Sequence, residues 1–258
     1  MSKEYSHTFV ICAYKESHYL EECIKSIQSQ TAPSKVIIST GTPNKYISDV
    51  AKKYNIELYT HLHPGIGVDW NNGLALAKTP FVTLAHQDDI YLPEYVDATL
   101  TQMNQSNTLI AFTDYRELQD KDVRVKNANL KIKRRMLYPI KIFKKSIFIR
   151  RLILSLGNPI CCPAVTYNMK KLKDFRFIEN MRSNLDWDAW ERISKMTGEF
   201  TFIDKELMYH RIHEDSETSN AIASNKRTTE DLAMFERFWP KPIARLLIKQ
   251  YIKSQETN

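Results

Sequence analysis

Phe81-Val82-Thr83-Leu84-Ala85, running into His86-Gln87-Asp88-Asp89, is the stretch on which the fold turns. Its apolar part reads as a short buried strand, introduced by Pro80 and closed by polar residues. Two adjacent carboxylates then emerge at the carboxyl end, with a histidine just before them. In open α/β sheets, ligands bind outside the carboxyl ends of the strands. Carboxylates there suit Mg²⁺ or Mn²⁺, which take oxygen ligands and share them with a substrate's phosphates. A solvated strand-to-turn junction, where Asp is common, accounts for the same residues. The rest of the chain has to decide.

Working outward, strand and helix patterns alternate. Thr8–Ala13 reads as a buried first strand, followed by the loop Tyr14-Lys15-Glu16-Ser17, with Ser17 placed as N-cap. Leu20, Cys23, Ile24 and Ile27 form the stripe of a helix packed on one face. Lys35–Ser39 and Ile56–Tyr59 read as strands around a helix over Tyr46–Tyr54, and Gly65-Ile66-Gly67 opens a helix with Trp70, Leu74 and Ala77 inward. After Pro93 come a helix over Glu94–Met103, a strand over Leu109–Thr113 closed by Asp114, and a strand over Ala164–Tyr167. A helix over Asp186–Met196, strands over Glu199–Ile203 and Leu207–Tyr209, and a helical tail over Thr229–Lys253, broken at Pro240 and Pro242, complete the pattern. Such alternation predicts an α/β fold with a Rossmann-like, mostly parallel sheet covered by helices on both faces.

The chain has 258 residues, enough for one large domain or two intimate halves. Met1–Ser6 lacks the apolar core of a signal peptide, and no apolar run is long enough to span a bilayer. The four cysteines lack zinc-finger spacing and predict reduced thiols in a cytoplasmic protein. The net charge of +7 hides an asymmetry: residues 123–173 hold fourteen Lys or Arg and no Asp or Glu, leaving 23 basic and 30 acidic residues elsewhere. A basic segment of this kind predicts an anionic partner.

Four motifs, in order, resemble the family-2 glycosyltransferases. They are Val10–Glu16 with the following helix to Ile27; Gly67–Ala77; His86-Gln87-Asp88-Asp89 with Pro93; and Leu185–Arg192 followed by His210-Arg211-Ile212-His213. The resemblance implies the GT-A fold and inverting transfer of a sugar from a nucleotide-sugar donor, with Mn²⁺ or Mg²⁺ as cofactor. It implies Asp88, Asp89 and His213 as metal ligands, and Asp186 as the general base with Asp188 the next candidate. It implies that Ala13, Tyr14, Glu16, Ser39, Thr40, Asn71, His86, Gln87, His210 and Arg211 bind the nucleotide sugar. Departures are visible: Ser39-Thr40 stand where the family carries an acidic pair, His86 replaces an acid, and Trp70 replaces an arginine. Recognition of the base must then use hydroxyls, backbone or another residue.

The chemistry requires stabilisation of a departing diphosphate, a carboxylate to deprotonate the acceptor hydroxyl, and a cleft that holds both in line. Asp186 also reads as a first-turn helix carboxylate, and His210–His213 as a loop before the polar run Glu214–Asn220, a segment that orders over bound nucleotide on the functional reading. Trp187 and Trp190 read as core. The basic segment mixes its charges with aliphatics, as an interfacial helix on anionic lipid does, and lacks a groove-reading motif for nucleic acid.

The expected organisation is a nucleotide-sugar half over 1–115, a basic amphipathic segment over 116–160, an acceptor half over 161–228 and a helical tail over 229–258. The expected partners are a nucleotide-sugar donor, a glycan or lipid-linked acceptor of surface polysaccharide synthesis, and an anionic membrane surface, with no nucleic acid. The expected location is cytoplasmic, peripheral on the inner face of the plasma membrane. Two rivals are a nucleotidylyltransferase, which wants a glycine-rich basic loop that Cys12–Ser17 lacks, and a noncatalytic module binding lipid or RNA through residues 123–173.

Overall fold

A computed structural model describes residues 5–105, 107–119, 122–123, 128–213 and 226–255. The polar run Glu214–Asn220 lies outside the described residues. The strands are β1 (His7–Cys12), β2 (Lys35–Thr40), β3 (Glu57–Thr60), β4 (Phe81–His86), β5 (Ile90–Tyr91), β6 (Thr108–Gln119), β7 (Asp122–Val123), β8 (Val165–Asn168) and β9 (Glu199–Ile212). The α-helices are α1 (Leu20–Gln28), α2 (Lys45–Lys53), α3 (Ile66–Leu76), α4 (Tyr95–Gln105), α5 (Ala128–Ile142), α6 (Ile147–Leu154), α7 (Leu185–Ile193), α8 (Lys226–Glu236) and α9 (Lys241–Gln255).

One sheet runs in the order β3-β2-β1-β4-β8-β6-β9-β5, with β7 paired to β6. The first four strands are parallel. Beyond them β8 is antiparallel to both β4 and β6, and β6 and β9 are parallel again. Side chains alternate across β1 and set the two cores. Phe9 and Ile11 pack with Leu20, Ile24 and Ile47 under α1 and α2, while Val10 packs with Trp70 and Leu74 under α3. The second core continues through Trp187, Trp190 and Phe235, so α7 and α8 share the face of α3. No described helix is long and apolar enough to cross a membrane.

Register places the chemistry. Cys12 of β1 lies level with Ser39 of β2 and His86 of β4, so three strands end on one edge. The turn after β4 leads at once into β5, whose Ile90 pairs with Tyr209 of β9.

Three local readings change. β6 continues past Thr113 to Gln119, through register shifts on either side of Asp114. The two strands expected over 199–209 are one, because exposed Lys205 interrupts the apolar pattern without breaking the pairing. His210-Arg211-Ile212 is therefore strand and not loop. Ser17 is not the N-cap of α1: Tyr19 holds that position with no side-chain cap, and the Ser17 carbonyl accepts the Leu20 amide.

Gly67 shows how tightly α3 is seated. A Cβ there would lie 2.5 Å from the Ile178 carbonyl oxygen and 2.9 Å from Leu185 Cδ2. Gly67→Ala should therefore cost about 1–3 kcal/mol, as overpacking against backbone does. The measurement is urea denaturation, and an unchanged midpoint would contradict the packing.

Candidate functional site

The site lies at the carboxyl edge of β1, β2 and β4. Its anchor is Asp89, which is fully buried. One carboxylate oxygen, Oδ1, accepts from His210 Nδ1 at 3.0 Å and from the Arg211 amide at 3.0 Å. The other, Oδ2, is buried and has no hydrogen-bond partner, as is His86 Nε2. Asp88 Oδ2 accepts from His213 Nε2 at 2.9 Å. His86, Asp88 and Asp89 each offer a ligand atom, all within 4.8 Å of one another. An orphaned buried carboxylate oxygen beside an imidazole nitrogen and a second carboxylate fits a divalent cation such as Mn²⁺. Structure thus adds His86 to the expected metal group and places His213 on Asp88.

The charges are mutually adjusted. Burial pushes the Asp88 carboxyl up, but the His213 hydrogen bond and the charges of His86, His210 and His213 outweigh it and hold the group below its usual range. Burial pushes His210 down, and Asp89 outweighs it, so the imidazole is raised to about 9. Trp70 stacks on His86 at 5.6 Å and 15° between planes, fixing the ring where the family pattern has an acid and an arginine. Gln87 clamps the first loop to the turn after β4: its Nε2 donates to the Tyr14 carbonyl at 2.9 Å, and its Oε1 accepts the Tyr14 amide at 3.0 Å.

Asp186 stands in the first turn of α7, behind the N-cap residue Asn184. Its Oδ2 accepts from Asn158 Nδ2 at 2.7 Å and its Oδ1 from the Trp187 amide at 2.7 Å. Burial raises this carboxyl, only partly offset by those donors and by the charges of Arg227 and His86. The approach to α7 is held from the tail. Glu230 of α8 accepts the amides of Arg182 and Ser183 at 2.8 Å and of Asn184 at 3.1 Å. Asn158 and Glu230 were not legible as site residues, because they act from sequence positions far from Asp186.

Several expected ligand contacts are occupied by the fold itself. Asp188 is buried and binds Arg192 at 2.7 Å and Arg237, on the other side of α7 from Asp186. Residues two apart on a helix face different ways, which is why Asp186 meets Asn158 and Asp188 a cation pair. Arg211 turns inward: its Nε donates to the Asp88 carbonyl at 2.9 Å, another nitrogen pairs with Glu22 at 2.6 Å, and the guanidinium lies 4.2 Å over Tyr19. It braces the Asp88-Asp89 turn where a contact to the leaving group was expected. Asn71 joins α3 to the 177–179 loop through the Phe177 backbone and Glu179. Ser39, Thr40 and Ala13 are buried, Thr40 Oγ1 accepting the Thr42 amide at 3.0 Å, while Tyr14 and Glu16 are exposed beside them.

The hydroxyls of β2 therefore do not present themselves at the edge. A carboxylate that the sequence reading missed lies there. Asp69, nearly buried, pairs with His61 Nε2 at 2.9 Å, and a Cβ on Gly41 would come within 2.9 Å of it. Burial raises Asp69, against the opposing charge of His61 and the amides of Gly65 and Gly41. Its signal was an acid next to Trp70, in the inward register of α3.

The family model described as glycosyl transferase family 2 matches residues 8–175. The chain belongs to that family. The match ends before Asp186, so α7 and β9 rest on the structure. An uncharacterized glycosyltransferase of Methanocaldococcus jannaschii is 24% identical over 212 residues, covering 79% of this chain and 69% of its own. One from Rickettsia felis is 22% identical over 221 residues, covering 82% of this chain but 34% of its own. The chain thus spans about a third of the rickettsial relative. Among solved structures, Staphylococcus aureus TarS residues 1–349 with UDP-GlcNAc superposes with a TM-score of 0.66 at 14% identity, covering 96% of this chain and 72% of that one. The Pyrobaculum calidifontis mannosyltransferase with GDP-Man and Mn²⁺ gives 0.66 at 12% identity, covering 99% and 73%. These likenesses establish the GT-A fold, and the family makes the chain a glycosyltransferase.

The His210–Asp89 pair has a pH signature in metal-free protein. A raised histidine contributes stability that is complete below its unfolded value of 6.5 and is lost as pH rises through about 9. The melting-temperature advantage of the wild type over His210→Asn should therefore shrink between about pH 6 and about pH 10. Scanning calorimetry with chelator checks this; an advantage independent of pH would show that His210 is neutral.

Proposed function

We propose that this glycosyltransferase is metal-dependent and inverting, and that it moves a sugar from a nucleotide-sugar donor to a glycan or lipid-linked acceptor in surface polysaccharide synthesis, at the inner face of the plasma membrane. The observation that carries the reading is the opposition of two carboxylate environments. Asp88 is held ionised among histidines, and Asp186, close enough to feel the charge of His86, is pushed up by burial. Groups whose environments drive them apart in this way take different roles in catalysis.

A divalent cation held by His86, Asp88 and Asp89 would neutralise charge on the departing diphosphate. Protonated His210, behind Asp89, holds Oδ1 and leaves Oδ2 without a hydrogen-bond partner, available to the cation. Asp186 accepts the proton of the acceptor hydroxyl, aimed by Asn158. The freed oxygen attacks the anomeric carbon on the face opposite the diphosphate. The carbon–oxygen bond to the diphosphate breaks, its electron pair leaves on that oxygen, and the anomeric centre inverts. The cation pair Arg192 and Arg237 keeps Asp188 out of this step.

Asp186→Asn should lower kcat by about 10²–10⁴-fold while leaving donor affinity unchanged. Because the carboxyl is raised, wild-type activity should fall on the acid side at a higher pH than an ordinary aspartate would give. A panel of uridine, guanosine and thymidine diphosphate sugars, assayed with Mn²⁺ and again with chelator, tests the whole reading. Full transfer in chelator, or full turnover by Asp186→Asn, would refute it.

A further inference from the structure

The acid-free stretch does not act as a block of free positive charge. Arg134 pairs with Glu206 at 2.5 Å and with Asp114, Lys141 with Asp204 at 2.7 Å, and Arg151 with Glu191 at 2.9 Å. Arg150 is buried and donates to the carbonyls of Ser194 and Gly198 at 2.8 Å. Lys133 reaches the Tyr115 hydroxyl at 3.4 Å, and Lys144 the Gln102 side chain at 3.2 Å. These cations fasten α5 and α6 to the acidic body of the protein.

What faces outward is different. Lys131, Arg135, Tyr138 and Ile142 recur at helical spacing along the outer side of α5, and all four are exposed. Among the described residues, no carboxylate pairs with Lys131 or Arg135. Phe143 follows at the turn, 54% exposed, and Phe148, 72% exposed, lies on α6 one helical turn before Leu152. The inner side of α5 carries buried Leu137 and Ile140, so these outward apolar groups belong to no core. Six large apolar side chains exposed between residues 138 and 152 suit an interaction surface.

We propose that the outer face of α5 and α6 docks on an anionic bilayer, with Phe143 and Phe148 entering the boundary between headgroups and acyl chains. The observation that selects this occupant is charge complementarity. Lys131 and Arg135, which pair with no carboxylate among the described residues, flank apolar side chains, which suits a layer that is anionic outside and apolar inside. A second copy meeting this face would offer Lys131 and Arg135 no carboxylate, since residues 128–154 hold no Asp or Glu. Nucleic acid would satisfy the cations but leave Ile142 and Leu152 uncovered.

Docking there also orients the site. Lys133, on the opposite side of α5, touches Tyr115, and the Tyr115 ring lies 6.2 Å from that of His210. The helix, roughly 10 Å across, and the Tyr115 and His210 rings thus lie between the docked face and Asp89. Where the transfer reading above holds, the acceptor is then an amphiphile presented by that bilayer; the docking itself does not depend on that reading.

The test is sedimentation of the full chain with phosphatidylcholine vesicles and with vesicles also containing phosphatidylglycerol. The wild type should sediment with the mixed vesicles at low salt and not with the neutral ones. Lys131→Gln with Arg135→Gln should weaken that binding by about 10- to 30-fold. Ile142→Ser with Phe143→Ser and Phe148→Ser should weaken it by more than about tenfold, since the inserted apolar area is lost. These positions are exposed, so melting temperature and donor hydrolysis should be unchanged in both variants. Equal binding to neutral and anionic vesicles, or apolar variants that bind as the wild type does, would overturn the proposal. So would a dimer dissolved by the same apolar substitutions, or an RNA complex abolished by the charge substitutions. Vesicle binding without sugar transfer would leave the docking intact and refute only the transfer reading.

Discussion

A carboxylate with no exposure to solvent has to be paired or to hold a ligand, and the described structure arranges itself around that requirement at Asp89. One oxygen is satisfied by His210 and by the backbone of Arg211. Both donors come from β9, the last of the described strands in sequence, while Asp89 follows β4. The two-residue β5 is what makes the meeting possible, since its pairing with β9 slides Tyr209 and His210 alongside the turn. Removing that short antiparallel pair would leave a buried charge uncompensated, which is far more costly than the loss of two ladder bonds.

The same turn collects further braces that share no chemistry with the transfer step. Arg211 ties the Asp88 carbonyl to Glu22 on α1, Gln87 ties Tyr14 to the turn, and Trp70 supports His86 from α3. A turn that would hold a metal needs this support, because first-contact residues hold their geometry only when a surrounding layer locks them. Asp186 has an equivalent layer in Asn158 and Glu230. Here the C-terminal helices contribute: α8 fixes the N-terminal approach to α7, and the Arg237 cation from the same region draws Asp188 away. A tail that looked peripheral in sequence is part of what makes two nearby aspartates unequal.

The electrostatic asymmetry of the chain has a structural meaning too. The acidic body and the basic segment are complementary halves of one fold, with β6 and β9 supplying carboxylates to α5. Segment charge was therefore a poor guide to surface charge. Only residues outside that pairing, with the apolar groups between them, are left to meet another surface.

By itself the sequence determined the alternation of strands and helices, the parallel first half of the sheet, and the appearance of Asp88 and Asp89 at a strand's carboxyl end. It did so because period-2 and period-3.6 apolar patterns and the acid pair are local properties. It also pointed to Asp186 and to His210 and His213 through the order of its motifs. What it did not determine were the partners. Asp188, Arg211 and Asn71 carry the right chemistry for ligand contacts, yet their side chains are spent on Arg192 and Arg237, on Glu22, and on the Phe177 backbone. Conversely, Asp69, Asn158 and Glu230 lie in unremarkable contexts and reach the site only through packing of α3, the 158 loop and α8. A side chain's role follows from what fills its hydrogen-bonding capacity, and that is decided by segments distant in sequence, brought together only when the sheet closes.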